Sequence, residues 1–222
     1  MLVYFVRHGE SASNAAPGGM ALPLERGDRL TERGFEQARA VAERLEEAGA
    51  TRVLASPLRR ARETAEVIAG RLDLEITEVE ELRELRESEG FGELSLEDQR
   101  LRRWSEWMAG HGDDPDHSYR GGESFNEITE RVRILQRRLV DDAVERTIAV
   151  SHGIFMRFFL MEVLLAGAFG PDQVRDLWQL ASVNCGVCGF EHRDPELVAN
   201  YERRPWRCLS WMAPGPTPPP SA

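Results

Sequence analysis

The sequence predicts an α/β fold with three layers, in which helices cover both faces of a mainly parallel central sheet. Short, largely apolar segments recur at 2–6, 51–56 and 147–151, and residues 74–79 are a further candidate strand. Such segments are typical of strands that are buried on both faces. Stretches with helical spacing of apolar residues separate them, and this alternation is typical of parallel strands joined by crossover helices.

The first two predicted helices are marked by capping residues. One helix follows Thr31 and ends near Gly49, a typical C-cap residue. Its apolar residues at helical spacing are Phe35, Ala38, Ala42 and Leu45. Ser56 is predicted to cap a second helix that has Pro57 at its first position.

The second half of the chain repeats the pattern. Residues 96–109 are predicted to be helical. Ser124 and Glu127 form a capping-box sequence before a helix with a clear apolar face. Strand 147–151 is predicted to lead into another helix after His152, and residues 180–192 to form one or two late strands.

These elements predict one catalytic domain over residues 1–205, followed by a C-terminal extension over residues 206–222. The last nine residues, PGPTPPPSA, hold five of the twelve prolines. Prolines cannot donate backbone hydrogen bonds, so we expect this tail to be disordered.

Charge and hydropathy exclude some functional classes. The chain has 28 Lys and Arg against 38 Asp and Glu, which gives a formal net charge of −10. This balance argues against sequence-independent binding of nucleic acid. We expect no membrane span, because no stretch approaches about 18 uncharged apolar residues, and no secretory signal, so the expected location is cytoplasmic.

Cys185 and Cys188 have the CxxC spacing of some metal and redox sites. The surrounding segment is predicted to be a strand, in which residues three apart point to opposite faces. We therefore expect ordinary core cysteines rather than a metal site.

Polar residues follow three of the predicted strands and predict a ligand site. Arg7 and His8 follow the first strand, Arg60 follows strand 51–55, and His152 follows strand 147–151. The carboxyl ends of neighbouring parallel strands meet at one crevice, so these side chains are expected to converge. Arginine suits phosphate oxygens, and a neutral imidazole can attack phosphorus, so the set points to phosphoryl transfer. Each of these residues alone could equally be a structural or surface residue. Only the presence of all three segments, each after a predicted strand, supports a phosphate site.

The chain resembles the histidine phosphatase superfamily, in its phosphoglycerate mutase-like branch, from residue 2 to about residue 190. The matching segments are RHGES at 7–11 with Asn14, LTERGFEQA at 30–38, SPLRRARETA at 56–65, GGESF at 121–125 and SHG at 151–153.

This resemblance implies a role for each matched residue. His8 would be the nucleophile that becomes phosphorylated, and Asn14 would donate a hydrogen bond to a phosphoryl oxygen. Gly153 would let the backbone approach the phosphate closely. The residues expected to clamp the phosphoryl group are Arg7, Arg60 and His152.

The resemblance also implies a carboxylic acid that protonates the leaving oxygen and later activates water. Leu82-Arg83-Glu84 and Leu85-Arg86-Glu87 both fit the expected Leu-x-Glu stretch. We favour Glu87, because the residues at 91–94 resemble the segment that follows the acid in this family. The spacing from Glu87 to Gly92 is one residue longer than expected, so Glu84 stays open as the alternative.

Three functions remain open at this point. A metal-independent phosphatase of phosphomonoesters, without a cofactor, is favoured because the interval from about 93 to 120 is short and predicts an open pocket. A cofactor-dependent phosphoglycerate mutase and a non-catalytic phosphate-binding module are the alternatives. We expect a small phosphorylated substrate and, by default, a homodimer.

Overall fold

The computed structural model describes residues 1–15, 28–86, 114–118, 121–194 and 204–213. Its centre is a six-stranded sheet with the strand order β3-β2-β4-β1-β5-β6. The strands are β1 (Leu2–Arg7), β2 (Arg52–Ala55), β3 (Ile76–Glu78), β4 (Arg146–Ser151), β5 (Val187–His192) and β6 (Trp206–Ala213). The first four are parallel to one another, and β5 and β6 are added in antiparallel pairing. The predicted mainly parallel sheet is confirmed.

The helices alternate with the parallel strands as predicted. They are α1 (Ala12–Ala15), α2 (Glu32–Leu45), α3 (Arg59–Leu72), α4 (Phe125–Asp141), α5 (Gly153–Leu165) and α6 (Pro171–Asp176). Short 3-10 turns occupy Glu46–Ala48, Glu80–Leu82 and Leu177–Gln179.

Two separate cores lie on opposite faces of the sheet. Alternate residues of β1 contribute to each, with Val3 and Phe5 in one core and Tyr4 and Val6 in the other. Helices α4 and α5 pack on the first core, and α2 and α3 pack on the second. Apolar residues on both faces of a strand require a cover on each face, and this confirms the three-layer arrangement.

Two of the predicted helix caps are confirmed. The Thr31 hydroxyl accepts a hydrogen bond from Gly34 N at 3.0 Å at the start of α2. Ser124 and Glu127 form the complete capping box of α4.

The predicted cap of α3 by Ser56 is wrong. The helix begins at Arg59, and its N-cap residue is Leu58, which makes no side-chain capping bond. Ser56 instead extends the ladder between β2 and β4, where its N–H donates to Val150 O at 3.0 Å. Its hydroxyl oxygen accepts a hydrogen bond from Leu58 N at 3.3 Å, just before the helix begins.

Strand β6 was not predicted, although it belongs to the sheet. It pairs with β5 through residues such as Phe190 and Cys208, so residues 206–213 of the predicted extension form an edge strand. Cys185 and Cys188 pack in opposite cores, as expected for core cysteines.

Some expectations fall on residues that the structure does not describe. These are the helix at 96–109, most of the interval 93–120, the proline-rich tail and Glu87. Within the described ranges, no helix combines the length and the apolar character that crossing a bilayer requires.

Candidate active site

The candidate site lies at the carboxyl ends of β1, β2 and β4, which are neighbours in the sheet. Arg7 is the register partner of Ser151, so the residues that follow, His8 and His152, emerge side by side. The two imidazole rings lie with their centroids 5.1 Å apart. The predicted convergence of these segments is therefore present in the fold.

His8 is held with one ring nitrogen toward the backbone and the other toward Arg60. Its Nδ1 lies 2.8 Å from Gly9 O, and a carbonyl oxygen can only accept, so Nδ1 carries the proton. Nε2 is then the unprotonated nitrogen, and it accepts a hydrogen bond from Arg60 Nε at 3.1 Å. This is the atom that can act as a nucleophile.

The surroundings keep His8 uncharged. Its side chain is buried, with 3% of the residue exposed, and burial lowers its pKa well below the ordinary value. The positive charges of Arg60 and Arg7 lower the pKa further. A neutral imidazole at neutral pH retains the lone pair that nucleophilic attack needs.

Arg60 lies between His8 and a buried carboxylate that sequence reasoning missed. Its NH1 forms an ion pair with Asp28 at 3.3 Å, and Asp28 is only 4% exposed. Asp28 also accepts hydrogen bonds from the Ser11 hydroxyl at 2.9 Å and from Ser13 N at 3.0 Å. No periodicity in the glycine- and proline-rich sequence around Asp28 could have indicated this position.

The other arginines at the start of α3 point away from the site. Arg59 pairs with Glu63, and Arg62 pairs with Glu66 and Glu78. Arg59 and Arg62 are therefore exposed surface residues.

Arg7 is fixed by the segment that precedes β5. Its NH1 donates to the Ser182 carbonyl, while its buried Nε has no partner among the described residues. Burial lowers the pKa of Arg7, and the negative charge of Glu84 raises it in part.

Gly153 makes room for this arrangement. A Cβ atom at position 153 would lie 3.0 Å from the Ser182 hydroxyl oxygen and 3.5 Å from Arg7 Nε. The missing side chain therefore allows Arg7 and Ser182 to approach the start of α5 closely.

His152 is fully buried, and its ring makes one hydrogen bond to the described part of the chain. Its Nε2 lies 2.8 Å from the Ser56 hydroxyl oxygen, and its Nδ1 has no partner among the described residues. Burial lowers its pKa well below the ordinary value, and the positive charges of Arg60, Arg7 and Arg131 lower the pKa further.

Asn14 lies at the exposed mouth of the site, where Asn184 links it to His8. The Asn184 side-chain NH₂ donates to Asn14 Oδ1 at 2.9 Å and to His8 O at 3.0 Å. Asn14 Oδ1 also accepts from Ser11 N at 3.4 Å, so Asn14 has its NH₂ group to offer to a ligand. Asn184 was missed because the sequence analysis of its segment considered only the nearby cysteines.

Of the two candidate acids, Glu84 lies in the described part of the chain. Its carboxylate accepts hydrogen bonds from Phe155 N at 2.9 Å and Ile154 N at 3.2 Å, at the first turn of α5. Both contacts hold the Glu84 carboxylate at the N-terminal turn of α5. The structure does not describe Glu87, whose preceding residue Arg86 is exposed.

An ion pair anchors the segment that carries Glu84. Arg131 binds both carboxylate oxygens of Glu123, at 2.7 and 2.6 Å. It also donates to the carbonyls of Glu81 and Arg83, at 2.8 and 2.7 Å. Glu123 of the GGESF segment thus holds Arg131, and Arg131 fixes the chain on either side of Leu82.

Two solved structures of phosphatases share this fold. A mycobacterial glucosyl-3-phosphoglycerate phosphatase complexed with VO3 is 22% identical, with a TM-score of 0.71 over 96% of this chain and 99% of that chain. A mutant phosphoserine phosphatase from Entamoeba histolytica, in complex with phosphoserine, is 20% identical, with a TM-score of 0.69 over 96% of this chain and 97% of that chain.

Comparisons of the amino-acid sequence identify the family. The probable phosphoglycerate mutase GpmB of Serratia proteamaculans (strain 568) is 31% identical over 212 residues, which are 95% of this chain and 89% of that protein. The sequence model of the histidine phosphatase superfamily (branch 1) matches residues 3–202. With this coverage, and with the residues of its motifs gathered at one crevice, the chain belongs to the histidine phosphatase superfamily, branch 1.

Proposed function

We propose that this protein is a phosphatase that hydrolyses small phosphomonoesters through a phosphohistidine intermediate on His8. The observation that carries the proposal is the state of His8, a buried neutral imidazole whose Nε2 lone pair faces Arg60. The phosphatases among the solved structures of this fold support the hydrolytic reaction.

The first step transfers the phosphoryl group from the substrate to the protein. The substrate phosphate displaces the hydrogen bond between Arg60 and His8, because an anionic oxygen is a better acceptor for a guanidinium than an imidazole nitrogen. His8 Nε2 then attacks phosphorus, the P–N bond forms, and the bond to the leaving oxygen breaks. Arg7, Arg60, His152 and Asn14 bind the phosphoryl oxygens while charge develops on them.

The second step returns the site to its starting state. Water attacks the phosphorus, the P–N bond breaks, and inorganic phosphate leaves. A carboxyl group gives a proton to the leaving oxygen in the first step and accepts one from water in the second.

For this carboxyl group we propose Glu87, with Glu84 as the alternative. Backbone N–H donors of α5 already bind both carboxylate oxygens of Glu84, which leaves this group less available to a leaving oxygen. Glu84 remains a candidate because it is near enough to Arg7 for its charge to raise the pKa of that arginine.

Glu84→Gln and Glu87→Gln separate the two assignments. Of these two variants, the one whose replaced glutamate is the acid should lose much more activity on an alkyl phosphate than on p-nitrophenyl phosphate. The leaving group of an alkyl phosphate needs the proton that the acid donates. Equal losses on both substrates would remove that residue from the role of acid.

A phosphoglycerate mutase is the second candidate function. It is favoured by the probable phosphoglycerate mutases among the relatives, of which the Serratia protein is one. A mutase would use the same phosphohistidine but return the phosphoryl group to a phosphoglycerate instead of to water.

The decisive experiment measures both products in the same reaction. The protein is incubated in EDTA with p-nitrophenyl phosphate, 3-phosphoglycerate, glucosyl-3-phosphoglycerate and phosphoserine, and both free phosphate and 2-phosphoglycerate are determined. We expect phosphate release that EDTA does not change and that His8→Ala lowers by at least about 10⁴-fold without unfolding the protein. Conversion of 3- to 2-phosphoglycerate with little free phosphate would instead identify a mutase.

We further propose that the protein acts in the cytoplasm, binds no nucleic acid and forms a homodimer. The acidic net charge of −10 supports the absence of a nucleic-acid partner. Light scattering at several protein concentrations tests the dimer, and a monomer at all of them would refute it.

A further inference from the structure

Ser56 and His152 make a contact that the mechanism above does not use. The Ser56 hydroxyl oxygen lies 2.8 Å from His152 Nε2, and both residues are 0% exposed.

The hydrogen-bond inventory of Ser56 decides which atom donates. The hydroxyl oxygen already accepts a hydrogen bond from Leu58 N at 3.3 Å. Its own proton has one acceptor among the described residues, which is His152 Nε2. If Nε2 carried the proton instead, the buried Ser56 proton would have no acceptor, and a buried donor without a partner is costly.

We propose that Ser56 is a positioning residue that fixes His152 in the tautomer with the proton on Nδ1, so that the Nδ1–H group donates to a phosphoryl oxygen. A neutral imidazole has one proton, so donation by Ser56 to Nε2 places that proton on Nδ1. His152 Nδ1 is buried and unpartnered among the described residues, as expected of a group whose partner is a ligand. The opposite tautomer would present a lone pair to an anion and repel it.

The same tautomer serves two different purposes in the two histidines. Gly9 O fixes the Nδ1 proton of His8, which leaves the Nε2 lone pair for attack on phosphorus. Ser56 fixes the Nδ1 proton of His152, which makes that imidazole a hydrogen-bond donor. The inference rests on the proposed phosphoryl chemistry for its purpose, but the tautomer itself can be measured without any substrate.

The test is long-range ¹H–¹⁵N correlation NMR on the full chain with ¹⁵N-labelled histidine. The chain has five histidines, and the His152 signals are identified by their absence from the His152→Gln spectrum. We expect wild-type His152 to show a protonated Nδ1 and an unprotonated Nε2. Inorganic phosphate should shift the Nδ1 signal.

Ser56→Ala should remove the preference for one tautomer and lower the turnover of p-nitrophenyl phosphate about 10- to 100-fold, as expected for a lost buried hydrogen bond and a misplaced proton. Ser151→Ala is the matched control. Ser151 is also fully buried and precedes His152 directly, but its hydroxyl donates to Leu82 O at 2.8 Å. This control should leave the tautomer of His152 unchanged.

Two results would overturn the inference: a proton on Nε2 in the wild-type protein, or an unchanged tautomer in Ser56→Ala. The wild-type spectrum gives an answer even if Ser56→Ala fails to fold. A protein with the expected tautomer and phosphate-induced shift that releases no phosphate from any ester would refute the proposed function while supporting the role of Ser56.

Discussion

Asp28 and His8 contact different nitrogens of the Arg60 guanidinium. The carboxylate lies 3.3 Å from Arg60 NH1, while Arg60 Nε donates to His8 Nε2 at 3.1 Å. One guanidinium thus bridges a buried carboxylate and His8, the proposed nucleophile. The carboxylate fixes the direction from which Arg60 can meet a phosphate.

Asp28→Asn should lower kcat/KM about 100-fold, because a small displacement of a group that orients the substrate has effects of this size. Phosphatase assays with p-nitrophenyl phosphate measure the loss. Asp142→Asn is the control, because Asp142 pairs with Arg52 at the far end of β2. Equal activity of the two variants would show that Asp28 does not position Arg60.

Gly153→Ala should reduce phosphate binding. The new Cβ would lie 3.0 Å from the Ser182 hydroxyl oxygen, so Ser182 or Arg7 must move by a few tenths of an ångström. We expect KM for p-nitrophenyl phosphate to rise about tenfold, since Arg7 binds the phosphoryl group in the proposed mechanism.

The matched control for Gly153 is Gly70 in α3, where a Cβ would meet nothing within 4 Å. Gly70→Ala should leave KM unchanged and stabilise the protein by about 0.5–1 kcal/mol, because alanine loses less backbone freedom in a helix. A wild-type KM in Gly153→Ala would contradict the tight packing around Arg7.

Arg131→Met should be strongly destabilising. It breaks the two hydrogen bonds to the buried Glu123 and leaves that carboxylate without its main counter-ion, which costs about 3–5 kcal/mol for a buried pair. Urea denaturation measures the change. Arg137→Met removes an exposed pair with Glu130 and should cost less than about 1 kcal/mol.

The remaining folded fraction of Arg131→Met should also show altered catalysis. Arg131 holds the carbonyls of Glu81 and Arg83, and through them the segment that leads to both candidate acids. We therefore expect a larger loss on alkyl phosphates than on p-nitrophenyl phosphate. A uniform loss on all substrates would indicate a purely structural role.

Acid should weaken the fold through the two buried histidines. The folded protein lowers the pKa of both His8 and His152, so below about pH 6.5 the unfolded chain binds protons that the folded protein does not. The free energy of unfolding therefore falls as the pH decreases through this range, by at most about 1.4 kcal/mol per pH unit for each histidine.

Urea denaturation at pH 7.5, 6.5 and 5.5 tests this dependence. His8→Gln cannot take up the corresponding proton, so its stability should change less with pH than that of the wild type. Parallel curves for the two proteins would contradict the lowered pKa of His8.

Much of the fold could be predicted because its signals are local. Within β1, and likewise within β4, the apolar residues follow one another in the sequence. The Thr31 and Ser124 caps depend on residues three positions away. Strand β6 had no such signal, because its place in the sheet depends on pairing with β5. Ser56 was misread because α3 begins three residues later, at Arg59, and because its hydroxyl contacts His152, which is distant in the sequence.

The sequence by itself determined the α/β class and the family motifs that bring Arg7, His8, Arg60 and His152 to one edge of the sheet. Arg7 ends β1, His8 and His152 directly follow β1 and β4, and Arg60 lies in the first turn of α3 after β2. Because these strands are neighbours, their carboxyl ends bring the four residues together. Only the tertiary structure decided what surrounds them. Asp28, Ser182 and Asn184 reach the site from loops far away in the chain, and their hydrogen bonds fix the directions of the catalytic side chains. A hydrogen bond requires an atom within about 3 Å at a suitable angle, and no sequence spacing specifies that for residues 32 to 176 positions apart.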